Sequence, residues 1–481
     1  MKESSLKERT AKGLFWGGLG SGIQQFMSLL FGVILARILT QEDYGMVGVL
    51  AVFSAMATSI QEGGFTTALV NKKKVQHEDY NAVFWFSSLS GLLMYLILFA
   101  CAPLIADFFH EPALTAVARV LFLGFLLGSL GVSHNALLLK RMKMRERAVI
   151  DVISLVISNA AGVALVLLGF AYWGLVIQTV IFALITLLLR WYYSTFHPTF
   201  TFDFRPLKEM FPFSIKILLT GFFVAINTHV ITLFLGRLFT KHEVGDYTQG
   251  QKWSTIGSSI VNNILQHVSH PVLVEAGDDM ARQKHVFRKM LRFAAFISFP
   301  TMLGLALVSE ELIVLLITEK WLTSVPILQL LSIWGAFIPI TTLYRQLTFV
   351  HGKSEVYMWS TIATGILQVA LLFLLHQQGI HIMVLSFVCV NLLWLFVWQY
   401  YAHKLIHLRF WEVIKDLAPY LFIALFVLGI AYLATLSVTN LFLSLILKIV
   451  ISAVLYIFIM RYSNSVIYRE SMHYFKNMRK K

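Results

Sequence analysis

Of 481 residues, 58% are hydrophobic and only 13% charged, about half the charged share of an ordinary soluble domain. This excludes a water-soluble enzyme; at about 20 apolar residues per spanning helix, it supplies roughly fourteen membrane helices and leaves little for a separate soluble domain. Lys and Arg outnumber Asp and Glu by 39 to 25, an excess that in a membrane chain reports topology rather than a nucleic-acid partner.

In chain order, Ser5 and Glu8 stand in capping-box spacing and predict a short helix leading into Gly13. Apolar runs bounded by charge, Gly or Pro then predict spans at about 13–36, 44–60, 82–104, 113–132, 149–170, 173–193 and 213–235. A second set follows at about 247–268, 290–308, 325–347, 357–375, 380–401, 417–436 and 441–460. The first run is too long for the apolar core of a cleaved signal peptide, and no small-x-small site follows it. Cys101 and Cys389 both lie inside apolar runs, so neither a disulfide nor a metal site is expected.

With the N-terminus inside, 32 of the 39 Lys and Arg fall in inside loops and adjoining helix ends. Outside are only Arg37, Arg237, Lys241 and Lys320, while Arg119, Lys252 and Lys448 lie within spans. Both termini are therefore expected in the cytoplasm. The run at 247–268 is polar enough to read as a loop, but removing it would invert every later loop and carry three basic clusters outside. The same argument keeps the run at 113–132 despite Arg119.

The chain repeats itself. Ala36-Arg37-Ile38-Leu39-Thr40, followed by Asp43-Tyr44-Gly45, recurs as Gly236-Arg237-Leu238-Phe239-Thr240, followed by Glu243-Val244-Gly245, at an offset of 200 residues. Six spans fit in one period, so both copies keep one orientation, as in transporters built from parallel repeats. The expected fold is all-α and polytopic: a six-helix lobe at 1–205, a second at 206–405, and two additional spans with a basic tail at 406–481. Arg37 and Arg237 occupy equivalent helix ends, where they can bond the terminal carbonyls and the acids Asp43 and Glu243.

Polar side chains in hydrocarbon must face protein or an aqueous cavity. Gln251, Thr255, Ser258, Ser259, Asn262, Asn263 and Gln266 fall on one face of the span at 247–268, with Ile256, Ile260, Ile264 and Leu265 on the other. Seven polar groups in a row predict a water-filled cavity. Shifted back by 200, Thr58, Ser59, Glu62, Gly63 and Thr66 form a smaller version of the stripe. Gly17, Ser21, Gln24, Gln25, Ser28 and Gly32 share a face in the first span, echoed by Gly221, Ala225, Thr228 and Thr232. Close helix packing and cavity lining both account for these two faces. Arg119 and Lys252, one in each half, are assigned to an anion site, with Gln25, Ser258, Ser259, Asn262 and Asn263 lining the same cavity. Lys216 and Lys448 receive no role. Glu62 either pairs with Lys72 to Lys74 or relays a proton at the cavity mouth.

On the six-plus-six repeat, the two added helices and the paired ARILTQEDYG and GRLFTKHEVG segments, the chain resembles Wzx-type polysaccharide flippases over essentially its whole length. These belong to the multidrug/oligosaccharidyl-lipid/polysaccharide exporter superfamily. The resemblance implies a V-shaped pair of lobes around a central cationic cavity. It implies alternating access on an undecaprenyl-pyrophosphate-linked oligosaccharide, moved from the cytoplasmic to the periplasmic face of the bacterial inner membrane for surface polysaccharide or lipopolysaccharide synthesis. It also implies no catalytic residue and no cofactor, with the lipid-linked oligosaccharide, the bilayer and glycan polymerase or export machinery as partners. In related lipid flippases the last two helices form a groove for the lipid tail, a role that would fall here to Leu417–Leu436 and Leu441–Met460. The alternative is an ion-coupled multidrug or small-molecule antiporter of the same superfamily. In that branch an acid inside an early helix typically binds Na⁺ or H⁺, but the first span has Gln24 and Gln25 and no acid. A membrane glycosyltransferase would need catalytic acids on sizeable outside loops, and these run to about fifteen residues at most.

Overall fold

The computed structural model describes residues 6–55, 64–72, 74–201, 203, 205–277 and 279–463. The described residues form helices and short connections without a strand. Among the described residues, ten helices are long and apolar enough to cross a membrane, or eleven if one bent pair is a single span. Of the sequence features above, Ser5, Thr58, Ser59, Glu62 and Gly63 lie outside the described residues.

The chain divides into two compact units, the first comprising Met1–Gly245. It holds α1 (Leu6–Ile38), α2 (Gln41–Gly48), α3 (Phe65–Asn71), α4 (His77–Phe108), α5 (Leu114–Leu121) and α6 (Leu123–Ser129). It continues with α7 (Val132–Lys140), α8 (Met144–Leu167), α9 (Trp173–Tyr193), α10 (Arg205–Leu238) and the start of α11 (Lys241–Glu275). α1 packs on α8, and α8 on α9. Between α8 and α9, Gln178 donates to Asn159 Oδ1 at 2.9 Å, a polar bond across two packed helices. The predicted span at 113–132 corresponds to α5 and α6, and a bend falls at its end. α5 and α6 run on together, then α7 departs at 45°. The break follows Gly128 and Gly131, where the Gly131 N–H turns back to the Gly128 carbonyl at 3.0 Å.

α10, which the repeat assigns to the second half, lies in the first unit, packed on α3 and α4. Lys72, in the connection from α3 to α4, donates to Asp79 at 2.9 Å and to Glu209 of α10 at 3.1 Å. The Asp79 carboxylate, with Glu209 beside it, holds the Lys72 ammonium above its ordinary range.

The second unit, Asp246–Lys481, holds the rest of α11 with α12 (Met280–Leu307), α13 (Ser309–Ile317) and α14 (Val325–Val350). α15 (Ser354–Leu375), α16 (Ile380–Ile406), α17 (Phe410–Thr435) and α18 (Leu441–Tyr462) complete it. α12 is its axis, enclosed by α14 and α17 around Phe287, Leu291, Phe299, Met302 and Tyr344. At one end charge does the fastening: Arg288 of α12 grips Asp416 of α17 through two bonds of 2.6 and 3.1 Å and reaches Glu412 at 3.2 Å. On the far side, Phe422, Phe426 and Leu433 of α17 and Val454 and Phe458 of α18 are exposed. So wide an apolar surface is stable against lipid and unstable against water.

Candidate functional site

The repeated segments supply the starts of α2 and α11. Thr40 Oγ1 accepts from the Asp43 N–H at 3.3 Å while the Asp43 carboxylate accepts from the Thr40 N–H at 2.9 Å. Thr240 and Glu243 do the same at 3.3 and 3.0 Å. Both copies are capping boxes, Thr-x-x-Asp and Thr-x-x-Glu, a signal present in the sequence. Asp43 also accepts from the Tyr172 N–H at 3.2 Å, and Arg237 lies over the Phe108 ring, 5.5 Å from its centroid.

One turn further on, the two copies meet. A methyl group added at Gly45 would collide with the Lys241 carbonyl, and one added at Gly245 would collide with the Gln41 carbonyl. Residues 41 and 241, and 45 and 245, are equivalent under the repeat, so the contact is reciprocal: each helix lays its glycine on the other's first turn. The backbones approach this closely because neither glycine has a Cβ. A cavity of about 350 Å³ lies beside the crossing, bordered by Glu42, His110, Glu111, Lys241 and His242, and Lys241 is ion-paired with Glu111.

Within the second unit, α11 carries the polar stripe as a continuous helix. Thr255, Asn263 and Gln266 are exposed, Gln251, Ser259 and Asn262 are half-buried, and Ser258 is buried. The inner face holds Trp253, Ser254, Val261 and Leu265, and Ser254 donates to the Leu331 carbonyl at 3.0 Å. Ser258 turns toward that side and bonds the Thr255 carbonyl at 3.3 Å. Asn262 accepts from the Thr342 hydroxyl at 2.7 Å. Ile264, placed by its spacing on the apolar side, is exposed, as is Val268. The outward row is thus Thr255, Ser259, Asn263 and Gln266, flanked by apolar side chains.

In a chain lacking Cys101 and Cys389, single cysteines at Thr255, Asn263 and Gln266 should react with a polar thiol reagent much faster than cysteines at Ser254, Ser258 and Val261. Equal rates on both faces would show that this side of α11 does not meet water.

The assigned cations lie in different units. Arg119 on α5 is half-buried, its guanidinium 4.4 Å over the Phe99 ring and its Nε 3.5 Å from the Phe99 carbonyl. Lys252, half-buried on α11, is three residues before the outward row begins, and Gln25 is half-buried on α1 in the first unit. The side chains of Lys216, Thr228 and Ile260 are not among those described.

A second cavity, about 490 Å³, runs through the second unit between α12, α17 and α18 and touches α11 at Gly257. Its walls include Leu305, Val427, Leu428, Ile449 and Tyr456, with Lys448 and Ser452 as polar exceptions. Lys448 is ion-paired with buried Glu311 of α13, which also accepts from Ser444 at 2.8 Å. Glu311 and Lys448 are 137 residues apart in the chain, and no local pattern links them.

A family described as "Polysaccharide biosynthesis protein" matches residues 34–326. The chain is 24% identical to the teichuronic acid biosynthesis protein TuaB of Bacillus subtilis (strain 168), over 74% of each chain. It is likewise 24% identical to the lipopolysaccharide biosynthesis protein WzxC of Escherichia coli (strain K12), over 69% of this chain and 68% of that one. Among solved structures it is similar to the lipid II flippase MurJ in an inward closed conformation, with a TM-score of 0.77 and 15% identity over 95% of this chain and 99% of that one. An inward-facing multidrug resistance MATE family transporter follows at a TM-score of 0.65 and 16% identity, over 80% and 94%.

Proposed function

We propose that this chain, which belongs to the polysaccharide biosynthesis protein family, flips an undecaprenyl-pyrophosphate-linked oligosaccharide from the cytoplasmic to the periplasmic face of the inner membrane. It is a multi-pass membrane transporter and not an enzyme. The substrate is two-faced: a long hydrocarbon tail is at home in lipid, whereas a diphosphate bearing sugars meets a large desolvation penalty there. The observation that carries the reading is that α11 serves both needs at once. Its Gly257 borders the apolar groove, while Thr255, Ser259, Asn263 and Gln266 present an outward polar row. Beside that row the tail would lie between α17 and α18. Arg119 and Lys252 would hold the diphosphate while the protein alternates between inward and outward access, and the two six-helix lobes and added pair make up fourteen spans.

Cells lacking the protein should accumulate the lipid-linked oligosaccharide, and an impermeant glycan-binding reagent added outside spheroplasts should fail to reach it. Reagent access equal to that of unaltered cells would exclude the proposed direction of transport.

The distribution of Lys and Arg supports cytoplasmic termini. A reporter active only in the periplasm should be silent when fused after Lys481 and active when inserted near Pro112 or Lys320; the reverse pattern contradicts the topology.

A further inference from the structure

A groove that holds only hydrocarbon has no use for a charge, yet Lys448 lies in its wall. It is 9% exposed, paired with Glu311 at 5%, and its ammonium stands 6.0 Å from the Tyr432 ring centroid. As a fastener alone the pair is a poor choice, because apolar packing between α13 and α18 would hold them equally well without desolvating two charges. Two neighbouring polar atoms also lack partners: the Glu311 Oε2 oxygen, and the Ser452 hydroxyl one turn along α18 from Lys448, both buried and without a hydrogen bond among the described residues. An ammonium has three N–H donors, and one is directed at Glu311 Oε1. The wall therefore offers spare donors from Lys448 and an unused hydroxyl from Ser452, aligned by their four-residue spacing on one helix face and set in an otherwise apolar furrow.

We propose that Lys448 and Ser452 form a phosphate station inside the groove, which takes the phosphate end of a single-chain isoprenoid phosphate whose tail fills the furrow, with Glu311 as the counter-charge that keeps this grip weak. The inference rests on reading the groove as a lipid site and adds a specific headgroup contact to it. A free ammonium in this apolar setting would bind phosphate too tightly for release. Glu311 shares the ammonium and repels the incoming anion, which leaves an intermediate affinity suited to passage. The occupant is single-chained because a cavity of about 490 Å³ suits one isoprenoid chain, whereas a diacyl phospholipid must place two.

The test uses the purified full-length protein in detergent, with farnesyl phosphate, farnesol and phosphatidylglycerol as probes. Farnesyl phosphate should bind about tenfold more tightly than farnesol, the effect of one or two charge-assisted bonds. Lys448→Met should abolish that preference. Glu311→Gln should strengthen farnesyl phosphate binding, and Ser452→Ala, which leaves the ion pair intact, should weaken it several-fold even if the charge variants fold poorly. Equal binding of farnesol and farnesyl phosphate, or a phosphate preference unaffected by both Lys448→Met and Ser452→Ala, would overturn the station. Phosphatidylglycerol competing as well as farnesyl phosphate would overturn the isoprenoid assignment. Failure of the flippase reading is separately visible: the protein would still bind farnesyl phosphate through Lys448 but would not move lipid-linked sugar.

Discussion

Gly45→Ala and Gly245→Ala should each destabilise the protein markedly. Substituting glycine by alanine inside a helix ordinarily stabilises it by about 0.5–1 kcal/mol, because alanine loses less conformational freedom on folding. Here the added methyl would strike the carbonyl of Lys241 or Gln41, backbone atoms that have no rotamer in which to escape. Overpacking of this kind costs about 1–3 kcal/mol. The reciprocal geometry makes a sharper claim: once one methyl has pushed the two helix ends apart, the second has room, so the double variant should lose less than the sum of the singles. Thermal unfolding in detergent checks this, with Gly429→Ala as the control, since nothing lies within 4 Å of a methyl added there. If Gly45→Ala and Gly245→Ala prove as harmless as the control, or strictly additive, the two copies of the motif do not cross as described.

The other large effect is expected from the two assigned cations. Arg119→Ala or Lys252→Ala should leave membrane insertion intact but lower transport by about ten- to a hundredfold, the equivalent of about 1.5–3 kcal/mol for a lost hydrogen bond to a charged partner. Arg119→Lys distinguishes the two things an arginine offers. A lysine keeps the charge but loses the stacking on Phe99 and the two-pronged grip, so near-normal transport would mean that charge alone suffices. Transport as in the unaltered protein in the double Arg119→Ala, Lys252→Ala variant would exclude both residues as the anion site.

The helical, membrane-embedded character of the chain was legible because apolar length is a one-dimensional property. The polarity of α11 hid it from any hydropathy window, and the charge distribution alone predicted a span there; the structure shows one continuous helix, Lys241–Glu275. The repeat was equally legible, but its meaning was not. Thr40 and Asp43 carry a capping box in their spacing, so that role of the acid was available from the sequence. That Gly45 and Gly245 rest on each other's helix could not be read, because it depends on which backbones cross. Rotation of α11 was readable only in part: a 100° step per residue places Ser258 and Ser259 on neighbouring rows, and of the two Ser258 is the buried one. Lys448 and Glu311 carried no signal at all, since each is an isolated charge until α13 and α18 bring them together.

Movement of a lipid-linked sugar across a bilayer can be measured directly. Purified protein is reconstituted into sealed vesicles carrying a labelled undecaprenyl-pyrophosphate oligosaccharide, and an impermeant enzyme or quencher reports how much of the label faces outward. Protein-containing vesicles should expose the whole pool to the reagent, while empty vesicles and vesicles with the double Arg119→Ala, Lys252→Ala variant should expose only the outer half over the same period. A protected inner pool that persists in the presence of the unaltered protein and its own glycan would contradict the proposed function.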